Sequence, residues 1–380
     1  MLKIRLFSTL LFFCVILAQA QTDNGILRMD EFRNPQKRQI IAIPDVGEFK
    51  TLKCDFHTHT IFSDGHVWPV VRVQEAWEEG IDVISITDHI EFTPHSEDVP
   101  NNYNRAYELA KDKADEYNII LIKGAEITRK TPPGHFNALF IDDASGYINE
   151  WSSKKDNEAV LKAVAQNAFI IWNHPGWRYE RTEGSYEWID FVDELYNKKN
   201  LHGVEVFNGF WFHKKALDWA IDKNLTIIGS TDIHNLIKHH YKLGEDYIHR
   251  TMTLVFTKER TADSVREALE KGRTVAWSSK YIAGKEEYVR DLFYACVKTN
   301  PCFHSKQEEN YYEITNNSDL YFELELNSEK GTKSIVLYPR SSQVIIAPHN
   351  KKTLTYEVVN AFIRSDKNLI VDIPLKDNNN

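Results

Sequence analysis

Between residues 52 and 232, seven short apolar, β-branched runs alternate with segments of helical period, and no other feature constrains the fold as much. The runs are LKCDFH, DVISIT, IILIKGAEI, HFNALFI, AFIIWNH, GVEVFN and LTIIGSTD. Between them stand WPVVRVQEAWEEG, NYNRAYELAKDKADEYN, NEAVLKAVAQN, YEWIDFVDELYNKKN and FHKKALDWAIDKN, each with apolar residues at three- and four-residue spacing. Strands alternating with helices over this length predict a parallel barrel or an open parallel sheet. Gly80, Asn118, Asn167, Asn200 and Asn224 close the helical segments, as expected of C-terminal caps. Seven strands are one fewer than the standard eight-stranded barrel.

After about residue 285 the pattern changes to alternating apolar residues punctuated by Asn and Gly, which predicts antiparallel strands. Residues 285–380 therefore read as a linker, with a helix over 286–298, and a small β-sandwich-like domain. Residues 1–20 carry Lys3 and Arg5, an apolar run and an Ala-Gln-Ala end, the layout of a secretory signal peptide. The run is too short and wrongly flanked to span a membrane. Cys14 follows Phe13, a poor context for lipid attachment, so a soluble exported chain starting near Gln21 is expected, periplasmic or extracellular. Residues 21–50 read as an N-terminal arm and 51–284 as the barrel.

The chain has 46 basic and 55 acidic residues, and loss of Lys3 and Arg5 would leave a net charge near −11. So acidic a protein is not built for general attraction to nucleic acid or anionic lipid, although a local cationic site can still draw a phosphate. Cys54 sits in an apolar strand and reads as a small buried hydrophobe. Cys296 and Cys302 bracket VKTNP and are either a short-loop disulfide or two unrelated thiols.

The polar residues fall where an α/β barrel puts its chemistry. In CDFHTHTIFSDG the histidines His57 and His59 share a face if the strand continues through them, and Asp64 and the turn-forming Gly65 follow. The second run ends in Asp88 and His89, the third in Glu126, the fifth in His174, and the seventh in Asp232 and His234. Such groups are costly to bury without partners, so their recurrence at strand ends points to convergence at one barrel mouth. His135 opens its run and reaches the mouth from the KTPPG loop. Nine imidazole and carboxylate groups exceed one Zn²⁺ site and suit two or three metals, with Glu126 as a bridge. Lacking thiolate, the set suits Zn²⁺, Mn²⁺ or Fe²⁺.

In order, DFHTHTIFSDG, ITDH, GAE, NHP and STDIH resemble the motifs of the PHP superfamily, the polymerase and histidinol phosphatase domain, over residues 52 to 280. The resemblance implies a distorted seven-stranded (β/α) barrel with a di- or trinuclear metal centre and phosphoesterase activity. It implies a first metal on His57, His59, Glu126 and Asp232, and a second on Glu126, His174 and His135. A third would use His89, His234 and Asp64, with His66 next door as a substitute. The groups expected to carry catalysis are Glu126, Asp232 and His234. The chemistry implied is attack on a small-molecule phosphate ester by a water whose pKa the metals lower. Neither a Walker-type glycine loop nor a Gly-x-Ser-x-Gly elbow is found, which removes two competing mechanisms.

Substrate contacts are expected from Arg178 and Arg181, with Trp177 or Tyr179 stacking on an organic group, and from Asn208. Trp211 and His213 lie near the same mouth, and Glu205 reads as an interior partner. The alternatives are hydrolysis of an amide or another ester by the same activated water and, from another class, a non-catalytic binding protein.

Overall fold

A computed structural model describes residues 37–129, 132–145, 157–177, 186–241, 249–327 and 331–376. The signal-peptide reading of residues 1–20 and most of the arm lie outside these, as do Tyr179, Arg178 and Arg181. No described helix is long and apolar enough to cross a membrane.

The barrel region opens with β1 (Lys50–Asp55), α1 (Pro69–Glu78), β2 (Val83–Ile86), α2 (Arg105–Glu116), β3 (Ile120–Ile127) and β4 (Phe136–Leu139). It continues through α3 (Glu158–Ala165), β5 (Phe169–Trp172), α4 (Asp190–Asn197), β6 (Gly203–Asn208), β7 (Trp211–Phe212), α5 (Lys214–Asp222) and β8 (Thr226–Ser230). All seven apolar runs are strands, forming β1 to β6 and β8. The pairs β1–β2, β2–β3, β5–β6 and β6–β8 are parallel. β4 is antiparallel to both neighbours, with Glu126 opposite Asn137 and Asn137 opposite Ile171. The reversal has a simple cause. No helix separates β3 from β4, and a parallel return needs a crossover of a dozen or more residues. It also explains why His135 opens its run: the start of a reversed strand lies at the same end as its neighbours' finish.

The ring closes at the mouth. There Thr58 bridges Ile233, the His59 amide donates to the Ile233 carbonyl at 3.0 Å, and the Asp232 amide donates to the His57 carbonyl at 2.9 Å. Below that point β9 (Met252–Thr257) pairs antiparallel with β1, and this intrusion distorts the barrel.

Helix ends follow one rule with one exception to expectation. Gly80, Asn118, Asn167 and Asn224 each take positive φ two residues past their helix, but after α4 that place is held by Lys199, φ 58°, rather than Asn200. The Asn200 amide instead donates to the Leu195 carbonyl at 2.8 Å, the outer bond of the same cap.

Beyond α6 (Ile237–His240) and β9 come α7 (Ala262–Glu270), β10 (Thr274–Ser278), β11 (Tyr281–Gly284) and the helix α8 (Glu286–Cys296). The rest is β12 (Val297–Thr299), β13 (His304–Lys306), β14 (Glu309–Asn316), β15 (Phe322–Leu326), β16 (Ser334–Leu337), β17 (Ser342–Pro348), β18 (Thr353–Arg364) and β19 (Lys367–Pro374). One sheet joins β14 to β12, β13 and β17; the other runs β16–β15–β18, with β19 beside β18. This second sheet is continuous with the barrel, because β11 pairs with β18 through Ile282 opposite Ala361. Apolar residues of α1, α2, β9 and β10 and of both β-domain sheets belong to one core cluster.

The disulfide alternative is not realised: Cys296 and Cys302 are free and buried. The Cys302 thiol donates to the His304 carbonyl at 3.2 Å, and burial pushes the Cys296 thiol up to about 12.

Candidate metal centre

The nine expected ligands converge at the mouth in four overlapping groups, each with its ligand atoms within 4.8 Å of one another. These are His59, Asp64, His89 and His234; His57, His174 and Asp232; His57, His59 and Glu126; and His89, Glu126 and His135. β1 ends at Asp55, two residues before the first histidine. Even so, the Nε2 atoms of His57 and His59 approach the same Glu126 oxygen, Oε2, at 3.3 and 3.4 Å.

Glu126 is the hub. Its Oε2 faces His57, His59 and His89 Nδ1, the last at 2.9 Å, while Oε1 faces His135 Nδ1 at 3.0 Å and His174 Nε2 at 3.5 Å. Asp232 divides likewise, Oδ1 toward His57 and His59 at 3.2 and 3.0 Å and Oδ2 toward His174 at 3.8 Å. Asp64 Oδ1 lies 3.2 Å from His234 Nε2 and 3.6 Å from His89 Nε2. The grouping differs from the one the resemblance implied in three places. His59 also joins Asp64, His89 and His234. His89 faces Glu126 as well as Asp64, and His174 groups with His57 and Asp232.

These residues fit a divalent metal on the chemistry of their own atoms. His57 Nε2, His59 Nε2, Asp64 Oδ1 and Glu126 Oε2 are buried without a hydrogen-bond partner. An unpartnered buried polar atom is costly, and here four point inward from imidazole and carboxylate donors. Neighbours fix three of the rings so that a nitrogen lone pair faces in. Glu205 Oε1 accepts from His57 Nδ1 at 2.8 Å, and the Asp232 carbonyl accepts from His234 Nδ1 at 2.8 Å. The Ser63 hydroxyl gives its proton to Asp88 at 2.6 Å and so can only accept from His59 Nδ1, at 3.3 Å. Each bond leaves Nε2 unprotonated in the neutral ring, the state a metal requires.

Charge is finely divided in the metal-free mouth. Burial opposes a charged His57, yet Asp232, Glu126 and Glu205 raise its pKa well above the ordinary imidazole value. Burial likewise opposes His89, but Glu126 and Asp64 raise it to about 9. Burial, His234 and His89 hold His59 down at about 3. Asp64 resists burial through His234, His89 and His59 and stays at about 2; against the same penalty, histidines hold Glu126 and Asp232 well below the usual carboxylate range. Two of the expected ligands also sit in the left-handed region that non-glycine residues avoid, His174 at φ 26° and Asp232 at φ 53°. Gly65 turns the Asp64 loop so tightly that a Cβ there would lie 2.6 Å from the Thr60 amide nitrogen.

Other expected residues fall around this centre. The Asn208 side-chain amide nitrogen is committed to Glu205 Oε2 at 3.0 Å and Asp232 Oδ2 at 3.2 Å, so it braces those two carboxylates. Trp177, 41% exposed, lies 5.4 Å from the His135 ring and 5.6 Å from the His174 ring. His66 is exposed, bonds Asn235 at 2.6 Å and joins no ligand group. His213 is buried and held at about 3 by burial and by His174, and Trp211 is exposed.

Sequence reasoning did not find Ser63, Thr128 and Asn173 as supports, or assign Asp88 its brace. Thr128 bonds His89 at 2.6 Å, Asn173 donates to Glu126 Oε1 at 2.8 Å, and Asp88 accepts from the Thr60 amide and hydroxyl at 2.6 Å each. A signal existed for Glu205, an acid in the middle of a fully buried strand, which must have partners.

The Ig-like domain family DUF5001 matches residues 297–374. The chain is similar to a crystal structure of a two-domain protein from Bacteroides vulgatus, described as containing a predicted PHP-like metal-dependent phosphoesterase. The two are 39% identical with a TM-score of 0.84, over 90% of this chain and 100% of that one. It is also 36% identical over 194 residues to the uncharacterized protein MJ1295 of Methanocaldococcus jannaschii, covering 48% of this chain and 82% of that protein. A putative metal-dependent phosphoesterase from Bifidobacterium adolescentis matches at 17% identity and a TM-score of 0.40, over 59% of this chain and 98% of that one.

Proposed function

The chain belongs to the family of PHP-like metal-dependent phosphoesterases, and from that premise we propose that it hydrolyses a small organic phosphate ester at a centre of two or three divalent metals. The observation that carries this reading is the inward convergence of unpartnered ligand atoms on His57, His59, Asp64 and Glu126. Bound divalent ions would supply Lewis acidity, lowering the pKa of a water and clamping phosphate oxygens. His57, His59, His89, His135, His174, His234, Asp64, Glu126 and Asp232 would hold them.

The chain's own groups set the conditions for that chemistry. Glu126 and Asp232 present separate oxygens to separate imidazoles and hold the middle of the centre. Glu205 and Ser63 fix the rings of His57 and His59. His234, with its side chain 31% exposed, marks the side open to solvent. Charge argues for an anionic substrate. The carboxylates among the proposed ligands, Asp64, Glu126 and Asp232, formally carry three negative charges, so two divalent ions already exceed them by one. A phosphate is then drawn to a local cationic site on a chain whose formal net charge is −9. Arg178 and Arg181 are proposed to add phosphate contacts, and Trp177 a stacking surface beside His135 and His174. Export rests on the signal-like layout of residues 1–20.

The test is elemental analysis of purified protein, with p-nitrophenyl phosphate and a panel of phosphate esters, amides and carboxylic esters assayed before and after chelation. Two or more equivalents of Zn, Mn or Fe with chelator-sensitive phosphate release is the expected result. Turnover confined to amides or carboxylic esters would replace phosphoester hydrolysis with the related reaction. Metal without turnover would favour a binding role, and a folded protein that takes up no metal would overturn the site.

A further inference from the structure

Beneath the metal centre, α1 carries a fully buried arginine, Arg72, at a place where a helix facing a core ordinarily puts an apolar side chain. Its guanidinium does not point at the ligands. It donates to the backbone carbonyls of the two segments that carry them. Nε and Nη2 reach the His59 carbonyl at 3.1 and 2.8 Å, and Nη2 reaches those of Ile233 and His234 at 3.3 and 3.2 Å. Nη1 reaches the Asn235 carbonyl at 2.9 Å and Glu75 Oε2 at 2.8 Å.

Two physical points set this arrangement apart from ordinary packing. A buried cation behind a cation-binding site is electrostatically unfavourable and calls for strong compensation, which the carbonyls and Glu75 supply. Those carbonyls also lie beyond the ends of β1 and β8, at Asp55 and Ser230, where regular strand pairing has stopped. Arg72 thus joins the segment bearing His59 and Asp64 to the segment bearing Asp232 and His234. The second segment includes the left-handed turn at Asp232.

We propose that Arg72 is a positioning residue that sets the spacing of the His59–Asp64–His89–His234 group, and so controls occupancy of that one metal position. The role rests on the metal-centre reading above. The group of His89, Glu126 and His135 takes no residue from the two segments that Arg72 joins and is affected least, whereas the group of His57, His59 and Glu126 shares His59 and is affected in part.

The experiment compares wild type, Arg72→Lys, Arg72→Gln and Asp64→Asn. Each is stripped and reloaded with Mn²⁺ or Co²⁺, then measured for metal equivalents per chain, affinity of each equivalent, Co²⁺ absorption and thermal unfolding. Asp64→Asn removes a ligand of the group directly and sets the pattern for its loss. The expected result is that Arg72→Gln loses the same equivalent and the same part of the Co²⁺ spectrum as Asp64→Asn. Arg72→Lys, which keeps the charge but not the planar fork, should weaken that equivalent roughly ten- to hundredfold and the others by clearly less. Should Arg72→Gln fail to fold, Arg72→Lys decides the matter. Full loading with wild-type affinities in Arg72→Lys overturns the positioning role alone, as does uniform weakening of every equivalent in step with melting temperature. A folded wild type that binds no metal overturns the metal-centre reading, and the positioning role with it.

Discussion

In β14 the buried residues alternate: Asn310, Tyr312, Ile314 and Asn316 are buried, and the residues between them are partly exposed. In β6 all six residues from Gly203 to Asn208 are buried, Glu205 among them. The first pattern belongs to a sheet packed on one face, the second to a strand covered on both. The contrast extends to polar atoms. Among the described residues, no buried unpartnered side-chain atom lies in the Ig-like region 297–374, whereas four lie on proposed ligands at the barrel mouth. The Ig-like region uses burial for cohesion. The mouth accepts unpaired polar groups, which are stable only with something bound or with firm support from behind.

The sharpest way to break that contrast is to cut each region at its centre. Glu126→Gln should lower kcat/KM by roughly 1,000-fold or more, because it removes several kcal/mol of metal-centred stabilisation. It should also reduce metal content by elemental analysis. In the other region, Leu324→Ala in the buried core of β15 should cost about 2–5 kcal/mol in denaturant unfolding. Its folded, metal-loaded form should keep wild-type kcat/KM. A large fall in kcat/KM with Leu324→Ala would show that the two regions are not functionally separate.

Changing pH in the metal-free protein sharpens the contrast. His89 is raised from 6.5 to about 9, so the stability it adds is fully present below pH 6.5 and lost as pH rises through 9. Asp64 is lowered from 3.8 to about 2, so its contribution is present above pH 3.8 and lost as pH falls through 2. Melting temperature of the stripped protein should therefore decline between pH 6.5 and 9, and metal should remove the decline by replacing the proton on His89. A decline that persists in the metal-loaded protein would place its source elsewhere. The mildest cut is Glu205→Gln, which leaves an acceptor for His57 but no charge. Metal affinity should weaken about ten- to hundredfold in a competition titration with a chelator.

Much of this was legible in the sequence because it is local. Apolar runs ending in His, Asp or Glu located the strands and their mouth, and helix ends were visible in Gly80, Asn118, Asn167 and Asn224. What was not legible depends on long-range pairing. The direction of β4 follows from the short connection before it, and the cap at Lys199 from where α4 stops. β9 and β10 are strands outside the seven runs read from the sequence. Ser63, Asn173 and Arg72 act on residues that, apart from Ser63's link to His59, are distant in sequence, so residue type alone did not mark them.

The pairing of β11 with β18 has a consequence for how such a protein can be rearranged. An appended module on a flexible tether can be lost, duplicated or exchanged without harm to its host. Here the join is a hydrogen-bonded seam inside a single sheet, with Ile282 opposite Ala361 and Ala283 opposite Phe362. Removing everything after α8 would leave β11 with an open edge and uncover apolar residues of the shared core. Within this chain the two parts therefore depend on each other, and a partner grafted in place of the C-terminal part must bring a strand that fits β11.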